Sequence, residues 1–208
     1  MPKSLLAELM NVADAEIGKL GFEKANKETY LRDCSNGFSH ALIIRPIRKW
    51  GLALEPTVCI RQHELERLYN QFSERADATN TFTIRKNLGH LMPENTCLYP
   101  YFKSLEDTVI LQGLIRDFQV YGIPYLKGLE SLESMENAVK KEMDWSGAFD
   151  PRILVIYKLL GKSEESINLA EDWLSKVENL NTHYSQFAQS FTRNFIQSFS
   201  SEPLGNAQ

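Results

Sequence analysis

The sequence predicts an α+β fold, with an N-terminal helix, an antiparallel sheet of four to five strands and a C-terminal helical layer. Two observations carry this. Short runs of period-two alternation, such as Phe38-Ser39-His40-Ala41-Leu42-Ile43-Ile44 and Phe82-Thr83-Ile84, are confined to the part before Ser104. Segments of helical period, each with start and stop signals, fill most of the chain after it. Strands and helices are therefore segregated along the chain rather than alternating, which argues against a parallel doubly wound sheet. The expected division is 1–103 for helix plus sheet and 104–199 for a helical layer packed on it as one domain. Residues 200–208 are expected to be a disordered tail.

The first helix is expected to be capped by Ser4, to bury Leu6, Leu9, Ala13, Ile17 and Leu20, and to end at Gly21. Phe22 to Arg32 reads as one strand, and Ser35-Asn36-Gly37 as a turn. Phe38 to Lys49 and Leu52 to Arg61 are the next strands, joined by a turn at Trp50-Gly51. Pro46 and Pro56 lack the donor a central ladder needs, so each should mark an edge, a bulge or a strand end. His63 to Phe72 reads as a short helix and Thr81 to Leu88 as a fourth strand. A cap at Ser104 to Asp107 then precedes a helix facing inward through Val109, Ile110, Leu114, Ile115 and Phe118, and Gly122-Ile123-Pro124 should stop it. Ser131, Asp150-Pro151 and Ser163 each open a further helix. The last helix carries Phe187, Phe191, Phe195 and Phe199 at four-residue spacing, an arrangement expected of core.

Composition narrows the function. With 43% hydrophobic and 24% charged residues, the chain can bury an ordinary core. Cys34, Cys59 and Cys97 form an odd set without metal-ligand spacing, and the N-terminus lacks the apolar run of a signal peptide. A cytoplasmic, reducing setting is expected. Residues 1–103 carry 14 Lys and Arg against 12 Asp and Glu, whereas 104–208 carry 9 against 15. No basic tract suggests direct nucleic-acid binding, and no apolar run is long enough for a membrane span.

Catalytic and ligand motifs fail on inspection. His63-Glu64-Leu65-Glu66-Arg67 begins like a zinc-binding HExxH, but Arg67 stands where the second imidazole belongs. Gly161-Lys162-Ser163 imitates the end of a phosphate loop, yet Ile156 occupies the position of the required earlier glycine. The expectation is therefore no cofactor, no metal and no catalytic residue set. An enzyme with a dispersed site, drawing on His40, His90 and the arginines Arg45, Arg61 and Arg85, is one alternative, because residues converging from several elements leave no spacing signature. A small-ligand or phosphate-binding module is another. It would use Arg45, Arg61 and Arg85, which fall late in three strands on the less apolar face.

Leu20-Gly21-Phe22-Glu23 after a helix, the strands that follow, and Tyr121-Gly122-Ile123-Pro124-Tyr125-Leu126 ahead of Leu129-Glu130-Ser131-Leu132 resemble a bacterial domain-of-unknown-function family. The likeness runs over roughly residues 5–180 by order of elements. Some members of that family occur beside toxin genes, including those of contact-dependent inhibition, so the resemblance implies an immunity or protein-interaction role and carries over no catalytic residue. Separately, Leu160-Gly161-Lys162-Ser163-Glu164-Glu165-Ser166 followed by Ala170 resembles the turn of a single tetratricopeptide-type hairpin. The resulting expectation is an immunity protein that occludes a cognate toxin. Glu164, Glu165, Glu171 and Asp172 are its candidate contact residues toward a basic, nuclease-type partner.

Overall fold

The structure, a computed structural model, describes residues 3–48, 52–74, 81–94, 99–102, 108–146 and 148–200. The fold is α+β, with an N-terminal helix, an antiparallel sheet and a helical C-terminal region. The chain divides into two compact units. One joins Met1–Gln62 to Phe82–Glu130, and the other joins His63–Thr81 to Ser131–Gln208.

The first unit opens with α1 (Lys3–Gly18), whose Leu9, Ala13 and Ile17 are fully buried. Ser4 lies inside this helix instead of capping it. Gly21 follows with φ +79°, a left-handed backbone that a side chain would strain. The single strand expected over Phe22 to Arg32 is a hairpin, β1 (Glu23–Lys24) and β2 (Thr29–Asp33). Its cause is Asn26, whose Oδ1 accepts from the backbone N–H of Glu28 and of Thr29, each at 3.0 Å. That side-chain-built turn competes with an extended run.

Three further strands continue the sheet: β3 (Phe38–Ile47), β4 (Leu52–Gln62) and β5 (Ile84–Asn87), in the order β1-β2-β3-β4-β5. β5 is shorter than the Thr81 to Leu88 segment expected for it, and β6 (Tyr99–Phe102) also pairs with β4. Pro56 stands in the middle of β4 and is accommodated by this arrangement. Ile44 N–H donates to Glu28 O on the β2 side, so the Ile44–Pro56 pair exchanges no hydrogen bond across β3 and β4. The donor that Pro56 lacks would point to the opposite edge, between residues 57–60 that pair with β5 and 52–54 that pair with β6.

One face of the sheet, with Tyr30, Arg32, His40, Leu42, Ile44, Val58 and Ile60, is covered by helices of the same unit. Phe22 meets Phe118 edge-on with centroids 5.2 Å apart, and Tyr30 Oη donates to Asp14 Oδ1 at 2.7 Å. α3 (Thr108–Asp117) buries Leu111, Leu114 and Ile115, while Val109, expected inside, is 67% exposed. The cap expected at Ser104 to Asp107 and the turn at Trp50-Gly51 lie outside the described residues. Gly122-Ile123-Pro124 does not stop the helix. A π turn over Phe118–Gly122 leads directly into α4 (Ile123–Lys127), with Ile123 N–H donating to Phe118 O five residues back and Pro124 in the first turn of α4.

The second unit is helical: α2 (His63–Phe72), α5 (Leu132–Ser146), α6 (Arg152–Leu159), α7 (Ser163–Val177) and α8 (His183–Ser200). The expected start signals hold at two of them. Ser131 Oγ accepts from Ser134 N–H at 3.1 Å, and Asp150 Oδ1 from Arg152 N–H at 3.0 Å. The phenylalanine stripe of α8 is core at its centre: Phe191 and Phe195 are fully buried, each edge-on against Phe72 of α2, while Phe187 and Phe199 at its ends are half-buried. Among the described residues, no helix is long and apolar enough to cross a membrane.

Candidate functional site

Strand register brings together a group that spacing in the sequence does not reveal. The β2–β3 hairpin closes with Cys34 N–H donating to Phe38 O at 2.8 Å, which sets Arg32 directly opposite His40 on the helix-covered face. Arg32 is held in three ways. Its Cζ lies 4.7 Å from the centre of the Phe22 ring, Nη1 donates to Leu20 O at 3.4 Å, and Nη2 donates to His40 Nδ1 at 2.8 Å. A guanidinium has only donors, so Nδ1 is the acceptor and the neutral ring carries its proton on Nε2. Glu130, in the turn after α4, places Oε1 3.0 Å from that Nε2. The contact is close but lacks the alignment of a directed hydrogen bond, so His40 Nε2 is buried with only an electrostatic partner.

Cys34 completes the cluster. Its Sγ, one nitrogen of His40 and a carboxylate oxygen of Glu130 all lie within 4.8 Å of one another. Two chemistries are conceivable for such a group, and the geometry opposes both. A cysteine nucleophile needs a base to take its proton. Burial, the Arg32 charge and Lys127 hold the pKa of His40 down to about 4, and burial with the nearby Glu130 pushes the Cys34 thiol up. The thiol stays protonated, and the lone pair that would accept its proton is already filled by Arg32. A metal ion bound at Nε2 would require the ring proton on Nδ1, facing an acceptor. Nδ1 faces a donor instead, so the three ligands as arranged do not suit a metal. What the geometry does show is a cross-strand Arg32–His40 bond at the turn end of the β2–β3 hairpin.

His40 and His90 do not converge. His90 is exposed on the turn Leu88–Leu91 beyond Asn87, whose register partner is Thr57, whereas His40 pairs with Ile60 on the far side of β4. His63 and His183 are exposed on the second unit.

The arginine stripe does share one face: Arg45, Arg61 and Arg85 all belong to the face opposite His40. Arg61 and Arg85 are diagonal neighbours across β4 and β5. Arg45 is six residues from that pair along the ladder, on the order of 20 Å, and its guanidinium is joined to Glu55. The three therefore do not form one anion cradle.

The acidic candidates have a different geometry. Glu164, Glu165, Glu171 and Asp172 are all exposed on α7. At 100° per residue they fall within about a third of the helix circumference. The opposite side of the helix is anchored by buried Ser166, Ala170 and Val177, with Ser166 Oγ donating to Leu154 O at 3.0 Å. Asp172 is bonded to Lys176 at 2.6 Å, while Glu164 and Glu171 make no ion pair among the described residues. α7 thus presents a fixed, negatively charged face. Comparison with known protein families, characterised proteins and solved structures finds no match to this chain.

Proposed function

We propose that the protein acts by binding another protein rather than by catalysis, as an immunity-type partner that occludes a basic toxin. The observation that carries this is the solvent face of α7, where four carboxylates are displayed on a helix locked from behind by buried contacts. A preorganised acidic face steers a basic partner into contact and costs little ordering on binding. A nuclease must itself hold a polyanion, so its own binding surface is basic and would meet this face. The arginine stripe is the weaker contact, since Arg45 is already occupied by Glu55. The protonated Cys34 thiol and the neutral, Arg32-bonded His40 ring support the non-catalytic reading. Free Cys34 and Cys59 suit a reducing cytoplasm, where a toxin would be neutralised at its target. An interface of about 800 Å² per partner would be enough for specific association.

The test is a pull-down on the immobilised full chain from a lysate of the source organism, with captured proteins identified by mass spectrometry. A basic protein should be retained by the wild type and by an Arg45→Gln, Arg61→Gln, Arg85→Gln variant. It should be lost with Glu164→Gln, Glu165→Gln, Glu171→Gln, Asp172→Asn. Retention by the second variant and loss by the first would reverse the assignment of the faces, and turnover that disappears with His40→Gln would replace binding by catalysis.

A further inference from the structure

The second unit exposes large apolar side chains at one end. α5 and α7 finish there and α6 and α8 begin there, so Trp145, Leu180 and Tyr184 all belong to this end. Trp145 is 83% exposed, in the last turn of α5, and Leu180 and Tyr184 are about half exposed. They are mounted on a stiff frame. Tyr184 Oη donates to Phe149 O at 2.7 Å, and the Phe149 ring stacks on Trp173 with centroids 4.1 Å apart. Gln189 Nε2 donates to Val177 O at 2.7 Å and to Leu180 O at 3.2 Å, while Ser185 Oγ donates to Leu180 O at 2.9 Å. The turn between α7 and α8 is therefore pinned through its own carbonyls, and Leu180 is displayed in a fixed position. A tryptophan left this exposed at the same end as a rigid tyrosine and leucine is the composition of an interface anchor, not of a solvated helix end.

Charge says what such anchors would meet. The two segments that build this end, residues 141–151 and 171–186, contain six acidic residues and two lysines. The carboxylates of Glu142, Asp144 and Glu178 are exposed there, together with Glu171 and Asp172 of the α7 face. An electron-rich indole and phenol on segments that also expose carboxylates fit cationic side chains, which gain from the ring face and from the local negative charge together. We propose that this end of the helical unit, anchored by Trp145, Leu180 and Tyr184, is where the protein grips arginine and lysine side chains of a basic protein partner. The proposal rests on the protein-binding reading and adds to it the anchor residues and the groups they recognise.

The experiment uses the full chain and nona-arginine as probe, titrated at low salt while tryptophan emission is recorded, with nona-glutamate as control. Nona-arginine should change the emission of the wild type, and Trp145→Phe should remove that change. In calorimetry, Trp145→Ala combined with Tyr184→Ala should weaken binding about tenfold, and Trp145→Tyr should retain most of it. Because Trp145 is exposed, thermal melts of the single Trp145 variants should match the wild type, whereas the pair also loses the Tyr184 bond to Phe149 O and should melt somewhat lower while staying folded. If the Ala pair leaves nona-arginine binding unchanged while neutralising Glu164, Glu165, Glu171 and Asp172 abolishes it, the anchors are wrong and the acidic-face reading survives. If the wild type does not bind nona-arginine, or binds nona-glutamate equally well, both the anchors and the reading of a basic partner fall.

Discussion

The Arg32 guanidinium donates to His40 Nδ1 at 2.8 Å across the β2–β3 ladder, and this one bond determines what the Cys34, His40 and Glu130 cluster can do. It fixes the imidazole tautomer, occupies the only lone pair available as a base and sets a positive charge beside a ring that is already buried. The imidazole of a constellation resembling a catalytic or metal-binding group is thereby kept neutral. The proposed binding role accordingly rests on the surface of the helical unit.

Stability should depend on pH through His40. Its folded pKa of about 4 lies below the ordinary 6.5, so below 6.5 the unfolded chain binds a proton that the folded protein refuses. The stabilisation is fully present above 6.5 and is lost as pH falls toward 4, by up to about 3 kcal/mol. Urea melts across this window should show the loss in the wild type and a smaller slope in His40→Gln. Equal slopes would mean that His40 is not held neutral.

Arg32→Met keeps an apolar stem near Phe22 but removes the charge and the donor. The His40 pKa should then rise from about 4 toward 6.5, because burial alone still depresses it. An NMR titration of the imidazole Cε1 proton reads this directly. An unmoved midpoint would show that Arg32 does not govern the ring.

Gly122 lies where a methyl group cannot fit. A Cβ there would fall 2.5 Å from Phe118 Cδ2 and 3.1 Å from Val58 Cγ1, and Phe118 is itself fully buried against Phe22. Gly122→Ala should therefore cost about 1–3 kcal/mol by overpacking. Gly161 has open space but φ +73°, so Gly161→Ala should cost roughly 1–2 kcal/mol by backbone strain alone. Chemical denaturation of the two variants compares the mechanisms, and a neutral Gly122→Ala would contradict the close approach of the π turn to β4.

Asp150 both caps α6 and pairs with the Arg152 side chain, its Oδ1 lying 2.9 Å from Nε. Asp150→Ala should destabilise by about 1–2 kcal/mol, and Asp150→Asn by less, since the amide oxygen can still accept from Arg152 N–H. If the two variants lose the same amount in thermal melts, the cap bond contributes nothing.

The α+β class was legible because period-two runs and capped helical runs fall in separate stretches, and the four-residue spacing in α8 announced the burial of Phe191 and Phe195, though not that Phe187 and Phe199 are only half-buried. Helix starts at Ser131 and Asp150 could be read because capping is local chemistry. Elements governed by less local effects were missed. Asn26 turned one strand into a hairpin through a side-chain bond, and Pro124 was carried by a π turn that no propensity signals. The Arg32–His40 pair was within reach of the sequence, since a turn centred on Asn36 places residues 32 and 40 opposite each other. Glu130 was not, because it arrives from beyond α4 with no fixed spacing to either. The exposure of Trp145 was equally hidden, as an apolar residue at a helix end reads as core until its neighbours are known.

The measurement that bears most directly on the protein's role is the kinetics of the captured partner on immobilised protein at low and high salt. Neutralising Glu164, Glu165, Glu171 and Asp172 together should slow association at low salt by about tenfold, with dissociation changed less and the difference shrinking as salt screens the charge. Association rates that are the same for wild type and variant at low salt would contradict the account.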